Sequence, residues 1–440
     1  MSLLAGCAVR DISPTGPAFL TGYPHVPRLS TGVHDPLLAS ALYLADGRIE
    51  LALVAADILF VSQQSTAFCR EEISRATGIP PGHILISASH THSGPVTNDQ
   101  LAWLGDPVVP PPDPGYLERF HRGIIEAAAA ARRAARPAQL AVTSAAAEGA
   151  GGNRLDPDGP FDPEVGLLAL RREADGRLFA VDLVYGMHPT VLHEDSTLVS
   201  ADFPHYARLE IAEAFPGVTT VYHNGPCGNL SPRYHVKGQT FAEAERLGRR
   251  LGGSAVRSLR ALREADFRGE VPLAARRGSA ELVPNAFPSV AEAEAELRRA
   301  RDRHDRLRRE NAPHGPVRTA ECAVFGAEMA LALAGAQEAG DVARLQAEFS
   351  PAEVQVFRIG DLYLAALSGE QFVEYGLEIK RRAPGRAFVI GNANGELQGY
   401  IVTPEAAAAG GYEAAWALFR PESGVRLVEA ALGLMRELGP

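Results

Sequence analysis

Cysteine is scarce in this 440-residue chain: it has four, Cys7, Cys69, Cys227 and Cys322, far apart in sequence. No two are spaced Cys-x-x-Cys, which excludes a thiolate zinc knuckle, and four scattered thiols exclude a dense disulfide framework. Each reads as a small buried hydrophobe. Positive charge is also in deficit. Lys and Arg total 43 against 53 Asp and Glu, a formal net charge of −10 with a pI near 5.8. That excludes nucleic-acid binding through a basic field, and an anionic membrane surface repels the chain on average. No uninterrupted run of about 18 apolar residues is present, so no bilayer-spanning segment is expected. The first residues show no basic stretch followed by an apolar one, hence no secretory signal. Leu4-Ala5-Gly6-Cys7 spells a lipoprotein processing tetrad, but no hydrophobic segment precedes it, and it reads as part of a first strand. A cytoplasmic location is the expectation.

What is present is ordinary globular composition, 46% hydrophobic and 22% charged, in a chain long enough for a sizeable core. The 43 Gly and 32 Pro residues require many turns. Residues 37–46 and 49–61 are apolar runs joined by Asp46-Gly47-Arg48, a hairpin pattern. Residues 65–78 read as a helix ending at Gly78, and 83–89 as a buried strand. A Pro-rich loop over 105–115 leads into a helix near 116–135. Further strands are read at 139–147, 165–171, 178–187, 218–223, 354–359, 362–367 and 386–391, with helices at 203–214, 240–263 and 370–382. The helix 289–311 and a return partner over 318–348 form a hairpin, with a scaffold, dimer-contact or lid role. No internal repeat is visible. The pattern predicts an α/β fold: one large layered mixed-sheet domain spanning 1–440, with flanking helices and the helical hairpin 289–348 inserted.

Chemistry-bearing residues gather at strand ends. His90 and His92 follow the strand that ends at Ser89, within Ser89-His90-Thr91-His92-Ser93-Gly94-Pro95. On extended backbone an i, i+2 pair projects to one face. Such a pair can grip a metal, or one ring can bind metal while the other handles protons. His188, in Met187-His188-Pro189, ends another apolar strand; His193 and His205 nearby read as solvated loop residues. The turn His223–Pro232 can present N–H groups and the Ser231 hydroxyl to an anion, or be plain turn chemistry. Glu370, after Gly369, reads as a helix cap or a metal ligand. Tyr400 and Tyr412 lie in Gly-rich loops.

Taken in order, these segments resemble the neutral ceramidases, amidases that release fatty acid from sphingoid bases. The matching pieces are Gly6–Pro14 with Gly22-Tyr23, Asp57, the His90 segment, Asn153-Arg154, His188-Pro189 with Leu198–Asp202, Asn224–Pro232, Gly369-Glu370, and Gly399-Tyr400 through Tyr412-Glu413. The resemblance implies one Zn2+ held by His90, His188, Glu370 and Tyr400. It further implies His92 as proton handler, Arg154 and Tyr412 near the scissile carbonyl, and Ser231 in the turn that the family reads as Asn-x-Gly-Asp-x-Ser-Pro. This chain departs from the pattern in having Asn229 for that Asp, Pro226-Cys227 before it, the hairpin, no export signal, and no C-terminal immunoglobulin-like domain.

The expected activity is therefore zinc-dependent hydrolysis of an amide, an N-acyl amide that need not be ceramide, with a zinc-activated water as nucleophile. A scheme with Ser231 as nucleophile stays open. Two alternatives stand beside it: a zinc hydrolase of a small soluble ester, lactone or amide, and a degenerate binding protein without chemistry. The expected partner is a small molecule, and a homo-oligomer is left open.

Overall fold

The chain reverses at Asp46-Gly47-Arg48 because the Asp46 carboxylate accepts the N–H groups of Arg48 and Ile49 (2.8 Å each), an Asx turn between two strands. Side-chain oxygens start the helices in the same local way: Ser62, Asp113, Asp202, Thr240 and Ser289 each accept an N–H from the first turn. The computed structural model describes residues 2–23, 26–100, 106 and 108–439. The expected Pro-rich loop at 105–115 falls partly outside them.

These elements assemble into three units with one connectivity. The first contains β1 (Leu4–Asp11), β2 (Leu38–Ala45), β3 (Glu50–Ala56), helix α1 (Gln63–Thr77), β4 (Ile84–Ala88) and α2 (Pro114–Arg133). The second contains β5 (Arg136–Ala146), β6 (Glu164–Arg172), β7 (Leu178–Tyr185), α3 (Phe203–Ala214), β8 (Thr219–Asn224) and α4 (Phe241–Arg260). The third begins with β9 (Leu273–Ala280), continues through the inserted helices α5 (Val290–Arg309), α6 (His314–Glu338) and α7 (Asp341–Phe349), and resumes with β10 (Ala352–Ile359), β11 (Leu362–Leu367), α8 (Val373–Arg382) and β12 (Arg386–Ile390). Short helices α9 (Pro404–Ala409) and α10 (Tyr412–Ala415) precede α11 (Glu422–Leu438).

In every unit the first three strands form an antiparallel meander, and a helix crosses over to a fourth strand parallel to the third. The first two units join through a short β1–β5 pairing, Leu4 opposite Pro137, giving an eight-stranded sheet β8-β7-β6-β5-β1-β2-β3-β4. The third forms its own sheet, β9-β10-β11-β12. The inner faces meet in one core containing Leu53 and Leu85, Leu168 and Val221, and Leu364 and Phe388. Gly166 makes the closest approach possible, since a Cβ there would sit 2.7 Å from the Phe388 ring. Helices cover the outer faces over separate apolar clusters. The α/β layered fold expected from sequence is thus present, and the described residues contain no immunoglobulin-like domain.

Several expectations change. A repeat exists, in connectivity rather than in sequence: burial asks only for apolar side chains at alternating positions, so three units can share a path without sharing residues. The return half of the hairpin is two helices, because Gly340 (φ 85) breaks it between α6 and α7. The helix expected at 370–382 starts at Val373, since Glu370-Gln371 pairs with Tyr400-Ile401 as a parallel ladder. Among the described residues one helix, Gly315–Glu338, is long and apolar enough to cross a membrane by composition (mean hydropathy 1.3); Arg318, Glu321 and Glu328 interrupt its apolar run. Its Met329 and Leu333 are buried in the third unit's outer core, and Glu328 pairs with Arg301 of α5.

The parallel pairs decide where function can sit. Strands three and four of each unit end together, so their exit loops emerge at one end of the molecule. The segment after β12 ties the three units there: Gly391 N–H donates to Asn224 O (2.9 Å), Ala88 N–H to Asn392 O (3.0 Å), and Asn394 N–H to Ile86 O (2.7 Å). Beneath it Ser87, His223 and Asp182 form a row, 2.7 and 3.0 Å apart. All three are completely buried. This Ser–His–Asp arrangement joins the two edge strands and offers no substrate a path.

Glu396 on the same segment is 4% exposed and accepts the Asn98 amide (3.2 Å). Burial pushes its carboxyl from the ordinary 4.5 up to about 7. A folded-state pKa above the unfolded one contributes stability at low pH that is lost as pH rises through 7. Glu396→Gln keeps the acceptor and cannot ionise. It should match the wild type near pH 4 and exceed it at pH 8 by roughly 1–3 kcal/mol in urea unfolding; equal pH profiles would disprove the assignment.

Candidate metal centre and active site

One side chain from each unit meets at this end: His90 after β4, His188 after β7 and Glu370 after β11. His90 gets there differently from the sequence argument. It lies beyond its strand with φ 69, so a kinked backbone, and not an extended i, i+2 face, directs His90 and His92. Its N–H donates to Ile58 O (3.0 Å), which holds the kink.

Each imidazole is fixed by its Nδ1. His90 Nδ1 faces Leu59 O (2.9 Å), His92 Nδ1 faces Gly22 O (3.1 Å), and His188 Nδ1 faces Cys227 O (2.8 Å) and Leu230 O (2.9 Å). A carbonyl oxygen only accepts, so Nδ1 carries a proton, and in the neutral ring Nε2 carries a lone pair. Burial, then the neighbouring Arg154, lowers His188 to about 4. Burial, then His90, lowers His92 well below its usual value. Both rings are neutral at neutral pH.

Among the described residues the three Nε2 atoms have no hydrogen-bond partner, and neither has Glu370 Oε2. His90 Nε2 and His188 Nε2 each lie 3.1 Å from that oxygen. The ligand nitrogens of His90, His92 and His188 all lie within 4.8 Å of one another. Lone pairs facing a buried carboxylate repel unless a cation sits between them. Two tetrahedral ligands about 2.0–2.1 Å from an ion are about 3.3 Å apart, close to the observed spacing. The carbonyls behind each ring supply the outer hydrogen bonds typical of metal-bound histidine. The donor set therefore fits a metal ion.

The remaining expected residues adjoin this cluster. Tyr400 stands directly opposite Glu370 in the two-residue parallel ladder, which places both side chains on one face. Its ring centroid is 6.4 Å from that of His188. Burial, then the Glu370 carboxylate, pushes the Tyr400 phenol well above its ordinary value. Arg154 leaves the Gly152-Asn153 ladder that pairs with Leu230-Ser231. Its Nε donates to Glu413 (2.6 Å), its guanidinium lies over the rings of Tyr400 (5.3 Å) and Tyr412 (5.8 Å), and its Nη2 has no hydrogen-bond partner among the described residues. Burial alone would lower Arg154, but Tyr400 and Glu413 hold it well above its usual value. His92, Arg154, Ser231, Tyr400 and Tyr412 line one cavity of about 60 Å³.

All eight expected site residues thus lie at this end, His90, His188 and Glu370 as a buried cluster with His92 and the other four around it. His193, expected in solvent, also lines the cavity; His205 does not, and packs on Tyr206. Asn229 is completely buried, donates to Glu374 (2.9 Å) and accepts the Val373 N–H (2.9 Å). An Asp there would put a second carboxylate against Glu374, so the departure from the family turn has a local cause. Sequence reading missed Arg233, and also Arg318, Cys322 and Phe325 of α6, which line the same cavity. Arg233 lies two residues after Ser231 and was within reach of inspection. The α6 residues carry no motif, and only the tertiary path of the hairpin brings them in.

No protein-family model matches the chain, and no curated protein matches it. Solved structures do. A ceramidase complexed with C2 superposes with a TM-score of 0.75 at 19% sequence identity, over 100% of this chain and 75% of that one. The neutral ceramidase from Pseudomonas aeruginosa gives 0.75 and 19%, over 100% of this chain and 74% of its own. The fold of this chain is that of the neutral ceramidases.

Proposed function

We propose that this chain is a zinc-dependent hydrolase of a small N-acyl amide. The observation that carries this is the buried trio in which the Nε2 lone pairs of His90 and His188 face Glu370 Oε2 at 3.1 Å, an arrangement that asks for a cation. Tyr400 beside Glu370 is the fourth ligand in this proposal. A zinc ion held there would lower the pKa of water toward about 7 and polarise a carbonyl.

The surrounding residues have separable tasks. His92, neutral and anchored at Nδ1 by Gly22 O, accepts a proton from the attacking water at Nε2. The water oxygen joins the acyl carbon, the C–N bond breaks, and the amine leaves with the proton that His92 returns. Arg154 Nη2 and the Tyr412 hydroxyl stabilise the oxyanion, with Glu413 holding the guanidinium in place. Water is favoured over Ser231 as nucleophile because the Ser231 hydroxyl accepts the Arg233 N–H (3.3 Å) and has no histidine partner among the described residues. A 60 Å³ cavity favours a small acyl group over ceramide.

His92→Ala should keep one equivalent of zinc and lose about 10²- to 10⁴-fold in kcat/KM on N-acetyl amides. Gly22→Ala should act in the same direction, since Gly22 has φ 108 and a Cβ would meet His92 Nδ1 at 2.5 Å. Metal analysis with steady-state kinetics decides. Turnover within twofold of wild type in His92→Ala would remove the residue from the mechanism.

A further inference from the structure

We infer that the substrate carries a carboxylate, received by Arg233 on the wall of the cavity that His92 and Tyr400 also line. The inference rests on the hydrolase reading and names its substrate class: short N-acyl amino acids.

Three arginines line this cavity. Two are neutralised within the protein. Arg154 is paired with Glu413 at 2.6 Å, and Arg318 with Glu194 at 2.7 and 3.1 Å and with Glu321 at 2.8 Å. Arg233 differs. Among the described residues no carboxylate lies within ion-pair distance of it. Its Nη1 reaches Arg154 O and Thr319 Oγ1, and its Nη2 reaches Cys322 Sγ, each at 3.3 Å. Its Nε makes no hydrogen bond among the described residues. Arg233 is half-buried at the cavity wall, and the planar fork of a guanidinium fits a carboxylate in two-point fashion.

The location makes the unmatched charge selective. Arg233 follows Ser231 by two residues on the turn that reaches the metal centre, and α6 holds its other side through Thr319 and Cys322. Arg233 shares the cavity with His92 and Tyr400, and its backbone N–H donates to Ser231 Oγ (3.3 Å), so a carboxylate on its guanidinium and a carbonyl at the metal centre occupy one space. An amide with an acid group next to the scissile bond satisfies both ends. The helical hairpin thereby gains a task, to orient the guanidinium and close the space that a long chain would need.

The test uses zinc-loaded protein with N-acetylalanine and its neutral counterpart N-acetylalaninamide. Wild type should favour the acid by about tenfold or more in kcat/KM. Arg233→Gln should raise KM for the acid about tenfold or more and leave the neutral amide within about twofold, while Arg233→Lys, which keeps the charge, should recover part of the loss. Calorimetric binding of N-acetylalanine to zinc-loaded His92→Ala protein, which does not turn it over, gives a separate readout and should weaken about tenfold or more when Arg233→Gln is added. Hydrolysis of both compounds with no dependence on Arg233 overturns this inference and leaves the hydrolase reading intact. Arg233-dependent binding of the acid without hydrolysis of any amide does the reverse. Neither binding nor hydrolysis overturns both.

Discussion

Replacing Glu370 with Gln should strip the protein of its metal and abolish hydrolysis. The side chain is 3% exposed and is the only carboxylate in the cluster; His90, His92 and His188 are each oriented by a backbone carbonyl at Nδ1. Gln preserves volume and removes the charge that offsets a divalent ion. Metal content should fall from about one equivalent to below about 0.1, and kcat/KM by roughly 10³-fold or more. Two stability measurements accompany this. Zinc at about 1,000 times its dissociation constant should stabilise wild type by about 4 kcal/mol and the variant by almost nothing. In metal-free protein the order reverses, because a Gln amide can donate to an Nε2 lone pair where the carboxylate repels it. A variant that still holds a full equivalent of zinc would show the ligand assignment to be wrong.

Arg208→Met should be the most destabilising change outside the metal centre. Arg208 on α3 makes two bonds to Asp57, at 3.0 and 2.7 Å, and Asp57 also accepts the Leu38 N–H at 2.9 Å. Both side chains are nearly inaccessible, at 10% and 2%. The pair joins the end of β3 in the first unit to the helix of the second. Removing the arginine leaves a buried carboxylate without its counter-ion, a loss of about 3–5 kcal/mol. Asp57→Asn combined with Arg208→Met should recover at least half of that, because no uncompensated charge remains. Urea unfolding of the single and double variants separates lost packing from stranded charge, and zinc stoichiometry should stay at one. A loss below about 1 kcal/mol in the single variant would mean that water reaches Asp57.

Much of the local structure and the chemistry was legible in the chain itself. Apolar runs punctuated by Gly, Pro and Asn marked the strands, and strand-end histidines and Glu370 marked the site, because these depend on neighbours a few residues away. The His90-Thr91-His92 element pointed to residues that do gather with His188 and Glu370, but for a partly wrong geometric reason, since His90 has φ 69 and its N–H is held by the Ile58 carbonyl. The threefold repeat was invisible because only connectivity repeats. Arg233, Arg318 and Phe325 were silent because an arginine or a phenylalanine is unremarkable until a distant segment folds over it.

The sequence by itself determined which residues could hold a metal and in what order they occur, because donor atoms belong to side-chain chemistry. Only the tertiary structure decided that they meet. Three parallel strand pairs end at one pole, and backbone carbonyls there turn each Nε2 inward. The helical hairpin lines the cavity of about 60 Å³ beside a guanidinium that has no carboxylate partner among the described residues. Convergence, size and unmatched charge are relations among segments remote in sequence, and close packing of the folded chain is what creates them.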